Sequence, residues 1–216
     1  MSSPAPDPLL RPTDFPTLSF GGYSGTPGGI EAVGFWPRAI ARLLDDAVHI
    51  VVAFGTGALF GIIVVVAASM TGQSAKAILA RQSGFRIEMI LFSLLGAVAF
   101  HTVLESMHGS TPGKLAFKMV AVQEDGTPCR FKPALIRSLA FYIDGLFFGL
   151  IGYFAMQKSP QQQRHGDTWA DTIVCKRAAV QPQNLRGPGR WAAAFLLACM
   201  ADSAILILGS LLSVMS

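Results

Sequence analysis

The sequence predicts an all-α membrane protein with three to four hydrophobic segments, one of them a candidate re-entrant helical hairpin, and a small cytoplasmic two-stranded element. Three observations carry that expectation. Apolar runs of spanning length lie at about 38–68, 87–107 and 191–216; a fourth, 134–156, contains Asp144-Gly145; and the basic residues gather in short segments around these runs. With 51% hydrophobic and 14% charged residues and a mean hydropathy of +0.47, the chain is too apolar for an ordinary soluble domain. A net charge of +4 and a pI near 9.2 would suit nucleic acid if the charge were clustered. Its scatter around apolar runs points instead to anionic lipid headgroups as the partner.

Residues 1–32 are rich in Pro, Gly and Ser and read as a disordered arm. They show no basic patch followed by an apolar core, so the first span itself is expected to act as the insertion signal. Cys129, Cys175 and Cys199 are scattered and odd in number, which argues against a disulfide framework and for a reducing side.

The first span is a membrane helix with a charged foot. Pro37 suits a first helical position and Trp36 suits the headgroup zone, so Arg38, Arg42, Asp45 and Asp46 fall in the opening turns. Spacings of four and seven put Arg38, Arg42, Asp45 and His49 on one stripe, where acids and bases are expected to pair along the helix. The stripe has two readings. Snorkelling arginines neutralised by aspartates would fix the helix depth; alternatively, Asp45 and His49 lie deep enough to hold a proton or ion.

The second span carries His101, Glu105 and His108 on one face near its end, a legitimate but weak set of zinc ligands. Residues 109–133 form a loop in which Phe117 to Gln123 is strand-like and EDGTP signals a turn. Its Gly-Lys pair is no phosphate loop, because His108 and Leu115 stand where that motif needs Gly and Ser or Thr. Lys114 and Lys118 are expected to contact headgroups.

Topology decides the nature of residues 134–156, which carry Arg137 and Asp144 on one face. If all four segments cross, Lys and Arg divide eight against nine; if this segment folds back, Lys76, Arg81 and Arg86 stand alone against the other fourteen. Basic residues favour the cytoplasmic side, so the hairpin is expected, with a break at Asp144-Gly145. It also sets KMVAVQ and TIVCKR on one side, where they can pair. Against it, 23 residues reach ~34 Å and could span. Residues 179–190 read as a linker, and the last span holds a single acid, Asp202. Gly57 with Gly61, and Gly145 with Gly149, have the spacing of close helix contacts. No internal repeat is visible.

RAIARLLDD, then GSTPGKLAFKMVAVQEDGTP, ALIRSL and QRHGDTWADTIVCKR together resemble the RDD family of small bacterial membrane proteins over about residues 33–178. The resemblance matches the family's arginine to Arg38 and its aspartates to Asp45 and, in QRHGD, Asp167. Two departures, Asp46 beside Asp45 and Asp171 in TWADTIV, leave the charge pairing open. The resemblance implies a multi-pass protein of the bacterial inner membrane, and the distribution of lysine and arginine predicts a cytoplasmic N-terminus. It also implies transport of an unidentified ligand, with cation/proton exchange suggested for some members.

Two functions from different classes follow. Transport would pass a cation or proton among Asp45, His49, Glu105 and Asp144, with Arg38 or Arg137 holding or releasing a carboxylate; without a repeat, a homo-oligomer is expected. A membrane scaffold would instead use Lys114, Lys118, Arg130, Lys132, Arg164 and Arg177 to bind headgroups or a membrane protein partner. No nucleophile–base pair or nucleotide fingerprint is present, so neither an enzyme nor a cofactor is expected; a metalloenzyme on His101, Glu105 and His108 is the outlying alternative.

Overall fold

Apolar length and charge sort the chain into a membrane bundle and a charged cap in the computed structural model, which describes residues 30–80 and 87–215. In chain order the elements are α1 (Phe35–Thr71), α2 (Ala75–Ala80), α3 (Ile87–His108), α4 (Pro112–Ala116), β1 (Met119–Gln123), α5 (Phe131–Asp144), α6 (Leu146–Lys158), α7 (His165–Trp169), β2 (Thr172–Lys176) and α8 (Pro188–Met215). Most of the proline- and glycine-rich arm lies outside the described residues. Its last residues are not loose: Ala32 bridges Cys175, and the Val33 amide donates to the Val174 carbonyl.

Helices α1, α3 and α8 are each long and apolar enough to cross a membrane. At ~1.5 Å per residue, the 37 residues of α1 reach ~55 Å against a hydrocarbon core of ~30 Å, so α1 is longer than a single crossing requires. The helix stops at Gly72, whose left-handed backbone (φ 69°) lets its amide return to the Ala68 carbonyl. The three spans meet over Phe100, Leu104, Ala194 and Ala198, with Val48 packed against them. Glycine permits the close approach of α3 and α8: a Cβ at Gly96 would strike the Asp202 carboxylate, and one at Gly209 the Phe92 ring. The GxxxG expectation misplaces the contact on α1, since nothing lies within 4 Å of a Cβ at Gly57 or Gly61, whereas a Cβ at Gly149 would meet the Phe35 ring of α1 at 3.6 Å.

Strands β1 and β2 pair antiparallel, which brings the chain before α5 and the chain after α7 to the same end of the bundle. Residues 131–158 accordingly fold back. Helix α5 descends along α3, where the Tyr142 hydroxyl donates to the Leu94 carbonyl (2.9 Å), ~21 Å along α3 from His108. The chain then turns by 114° into α6. The break falls at Gly145, and Phe147, Phe148 and Gly149 all have positive φ. Every lysine and arginine among the described residues except Lys76 belongs to the cap end. Both faces of the sheet are buried: Met119, Ala121 and Val174 against Ala41 of α1, and Val120, Val122, Ile173 and Cys175 under Val180. Burial pushes the Cys175 thiol up to about 12. Residues 179–190 are more than a linker, because Asn184 donates to the Gly126 carbonyl and Arg186 and Arg190 to the carbonyls of Ser106 and Met107.

The fold also contains an internal repeat that the sequence reading misses. Arg38, Ala41 and Asp45 of α1 correspond to Arg137, Ala140 and Asp144 of α5, and Gly113 of α4 to Gly166 of α7. Gly113 packs on the Ala41 backbone as Gly166 packs on Ala140. Four residues before each glycine, Gly109 and Gln162 have positive φ (83° and 50°); five after, so do Lys118 and Asp171 (54° and 49°). Ser110 donates to the Met119 carbonyl as Gln163 donates to that of Thr172. The strand register is symmetric about the equivalent pair Ala121 and Val174. Two units of the order helix, helix, short helix, strand are thus related by a pseudo-two-fold axis through that pair. In the second unit the two long helices are shortened to the hairpin.

Candidate functional site

Each unit uses its helix aspartate to cap the short helix that follows. Asp45 accepts from the Thr111 hydroxyl (2.6 Å) and the Gly113 amide (2.7 Å). Asp144 accepts from the amides of His165 (3.3 Å) and Gly166 (3.2 Å) and faces His165 Nδ1 at 2.8 Å. Both acids are buried, and their partners are the orphan donors at the start of a helix. The expected pairing along the α1 stripe is therefore wrong for Asp45 and Arg38, because tertiary partners outcompete neighbours one turn away. Only Arg42 and Asp46 pair within the helix, at 2.9 Å, at the partly exposed surface.

Between the two caps lies a buried chain of charges. Arg38 and Arg137 both bind Asp167; Arg137 also donates through Nε to Glu105 (2.8 Å) and through a terminal nitrogen to the Thr172 hydroxyl (2.8 Å); and Lys114 binds the other Glu105 oxygen. Five charged groups from α1, α3, α4, α5 and α7 are joined, with three cations on two carboxylates. Burial alone would raise the Asp167 carboxyl, but Arg137, then Arg38 and Arg164, hold it well below the usual carboxylate range. Lys114 is thus no headgroup contact; it is buried, while Lys118 is exposed. Nor do His101, Glu105 and His108 form a ligand set. Both Glu105 oxygens are taken by cations, and among the described residues no group of three metal-capable side chains occurs.

The carboxylates and imidazole nominated for ion transfer do not converge on one point. Asp45 caps α4, Glu105 belongs to the charge chain, and Asp144 caps α7. His49 instead reaches across the bundle, its Nε2 3.2 Å from Asp202 Oδ1 of α8. Asp202 is fully buried, and its Oδ2 has no hydrogen-bond partner. Two turns beyond His49, the Thr56 and Ser203 hydroxyls lie 2.7 Å apart; on the cap side, His101 is buried with Nε2 unpartnered, within electrostatic reach of His49 and of Arg42, Glu105 and Lys114. The buried polar groups thus follow one another from the charged cap into the bundle. Asp202 carried a sequence signal as the only acid of its span, but nothing local could identify its partner.

The sequence model of the RDD family matches residues 32–171, which takes in the charged cap and leaves α8 with Asp202 outside. No curated protein and no solved structure matches the chain.

Proposed function

Because the chain belongs to the RDD family of membrane proteins, we propose that it transfers protons, or a cation exchanged for them, along the polar groups buried between its spans. The observation that carries this reading is the His49–Asp202 pair. Asp202 lies eleven residues along α8 from Trp191, ~17 Å, and His49 thirteen along α1 from Trp36, ~20 Å, so both stand near the bilayer midplane. An acid and an imidazole sharing one proton are neutral together, and the pair becomes a net anion, carried by the carboxylate, when that proton moves on; such a pair is costly in hydrocarbon unless it serves a purpose. Hydroxyls on one side and His101 on the other supply neighbouring acceptors. We place the N-terminus in the cytoplasm of a bacterial inner membrane, since the cap end carries nearly all the basic residues.

The test is flux. Liposomes containing the purified protein should collapse an imposed pH gradient faster than empty ones. Asp202→Asn and His49→Gln should reduce that rate to background while leaving insertion and solution behaviour unchanged. Wild-type liposomes no leakier than empty ones would remove the reading. In that case the scaffold alternative gains, for which the specific support is the charge chain: with each of its acids held by two cations, the cap is suited to fixing helices against one another.

A further inference from the structure

A cavity of about 600 Å³ lies between α1 and the α5–α6 hairpin. It sits on the pseudo-two-fold axis, because Arg42 and Phe141, equivalent positions in the two units, meet across it with the guanidinium carbon 3.8 Å from the ring centroid. Asp46 and Gly145, also equivalent, line it as well. Interfaces between repeats are where membrane proteins of duplicated architecture place small ligands.

The lining divides into two chemistries. At one end stand Arg38, Arg42 and Arg164. Arg38 Nε and Arg164 Nε are buried without hydrogen-bond partners, and Arg164 Nε is 3.9 Å from the Asp167 carboxylate, which Arg38 and Arg137 already occupy. Of the two acids of the lining, Asp46 pairs with Arg42 through Nε within the cavity wall, and Asp144 is committed to His165 and two backbone amides. Guanidinium donors therefore exceed acceptors. At the other end the wall is apolar and aromatic, and Leu43, Phe148 and Leu150 on its rim are exposed in a part of the molecule that meets lipid.

We propose that this cavity binds one anionic phospholipid, with the phosphate accepting from Arg42 and Arg164 and an acyl chain lying along Phe148, Leu150 and Tyr153. Guanidinium groups match phosphate oxygens in geometry and charge, and the open apolar rim suits a tail that a free anion lacks. The proposal is independent of proton transfer, since neither His49 nor Asp202 lines the cavity.

Native mass spectrometry of the full-length protein, released from nanodiscs of mixed phosphatidylglycerol and phosphatidylcholine, tests it. One phosphatidylglycerol should be retained per chain. Retention should fall by about tenfold or more in the Arg42→Gln/Arg164→Gln double variant and persist in Lys118→Gln/Lys132→Gln, which removes exposed charge outside the cavity. Inorganic phosphate added in excess should not displace the lipid. Equal retention of phosphatidylcholine, or equal loss in both double variants, would overturn the proposal, as would displacement by phosphate alone. Should the arginine variant misfold, the wild-type protein decides: phosphatidylglycerol with a photoreactive acyl chain should crosslink to Tyr153 or Phe148. Adducts confined to the outer face of α1 around Phe54 would reject the site.

Discussion

At the residue scale, Asp167 holds the cap together. It is a fully buried anion on two guanidinium groups, and removing it leaves Arg38 without a carboxylate and Arg137 with Glu105 alone. We expect Asp167→Ala to destabilise the protein by ~3–5 kcal/mol and Asp167→Asn by less, read as thermal unfolding in detergent. Pairing holds the folded carboxyl below its value in the unfolded chain. Its contribution is therefore fully present above the ordinary aspartate range, about pH 4, and is lost only as pH falls through it towards the folded value. Wild-type stability should accordingly show no Asp167-dependent loss between neutrality and about pH 5. A steep decline in that range that Asp167→Asn abolishes would contradict the assignment. The types of residue in this cluster were largely legible in the sequence: Arg38, Glu105 and Arg137 stood out as charges beside apolar runs, and Asp167 through the resemblance carried by QRHGD. Their partners were not. Arg38 and Asp167 are 129 positions apart, and helical spacing speaks only of neighbours one or two turns away.

At the element scale, glycines and the hairpin turn set how closely helices meet. Gly96→Val should open the α3–α8 contact and disturb the His49–Asp202 pair together, costing stability and flux; Gly57→Val, facing open space, should cost neither. A parallel loss in Gly57→Val would mean that the face of α1 is covered. The elbow offers the opposite sign. Phe148 is wholly exposed yet left-handed, so Phe148→Gly should stabilise the isolated protein by about 1 kcal/mol, while weakening any acyl chain held against that ring. Sequence located the break at Asp144-Gly145 from charge counting, because the distribution of lysine and arginine is a global signal that survives ignorance of packing. The left-handed run at Phe147 and Phe148 gave no such signal, since phenylalanine is an unfavourable residue for it.

At the scale of the whole molecule, the repeat recasts the small number of spans. The expectation of a homo-oligomer came from too few segments and no internal symmetry, and the duplicated units remove the second of those grounds. Duplication was hidden because Asp45 and Gly113 are 68 positions apart whereas Asp144 and Gly166 are 22, so no fixed period links the halves. What the units share is sparse: an arginine, an alanine, an aspartate, a glycine and two left-handed residues. The fold-back itself makes a prediction about sidedness. In a cysteine-free background, Lys118→Cys and Lys158→Cys should react with an impermeant maleimide from the same side of the membrane and Lys76→Cys from the other. Lys158 reacting together with Lys76 would return α5 and α6 to a single crossing.

The seat for Asp202 is built from parts that precede it in the chain, an imidazole on α1 and a glycine notch on α3. During synthesis those earlier spans reach the bilayer with the slot vacant and the histidine lacking its counterpart. For the proton transfer proposed above, competence arrives with the docking of α8, an order of assembly that would keep a half-made protein from short-circuiting the membrane it is entering.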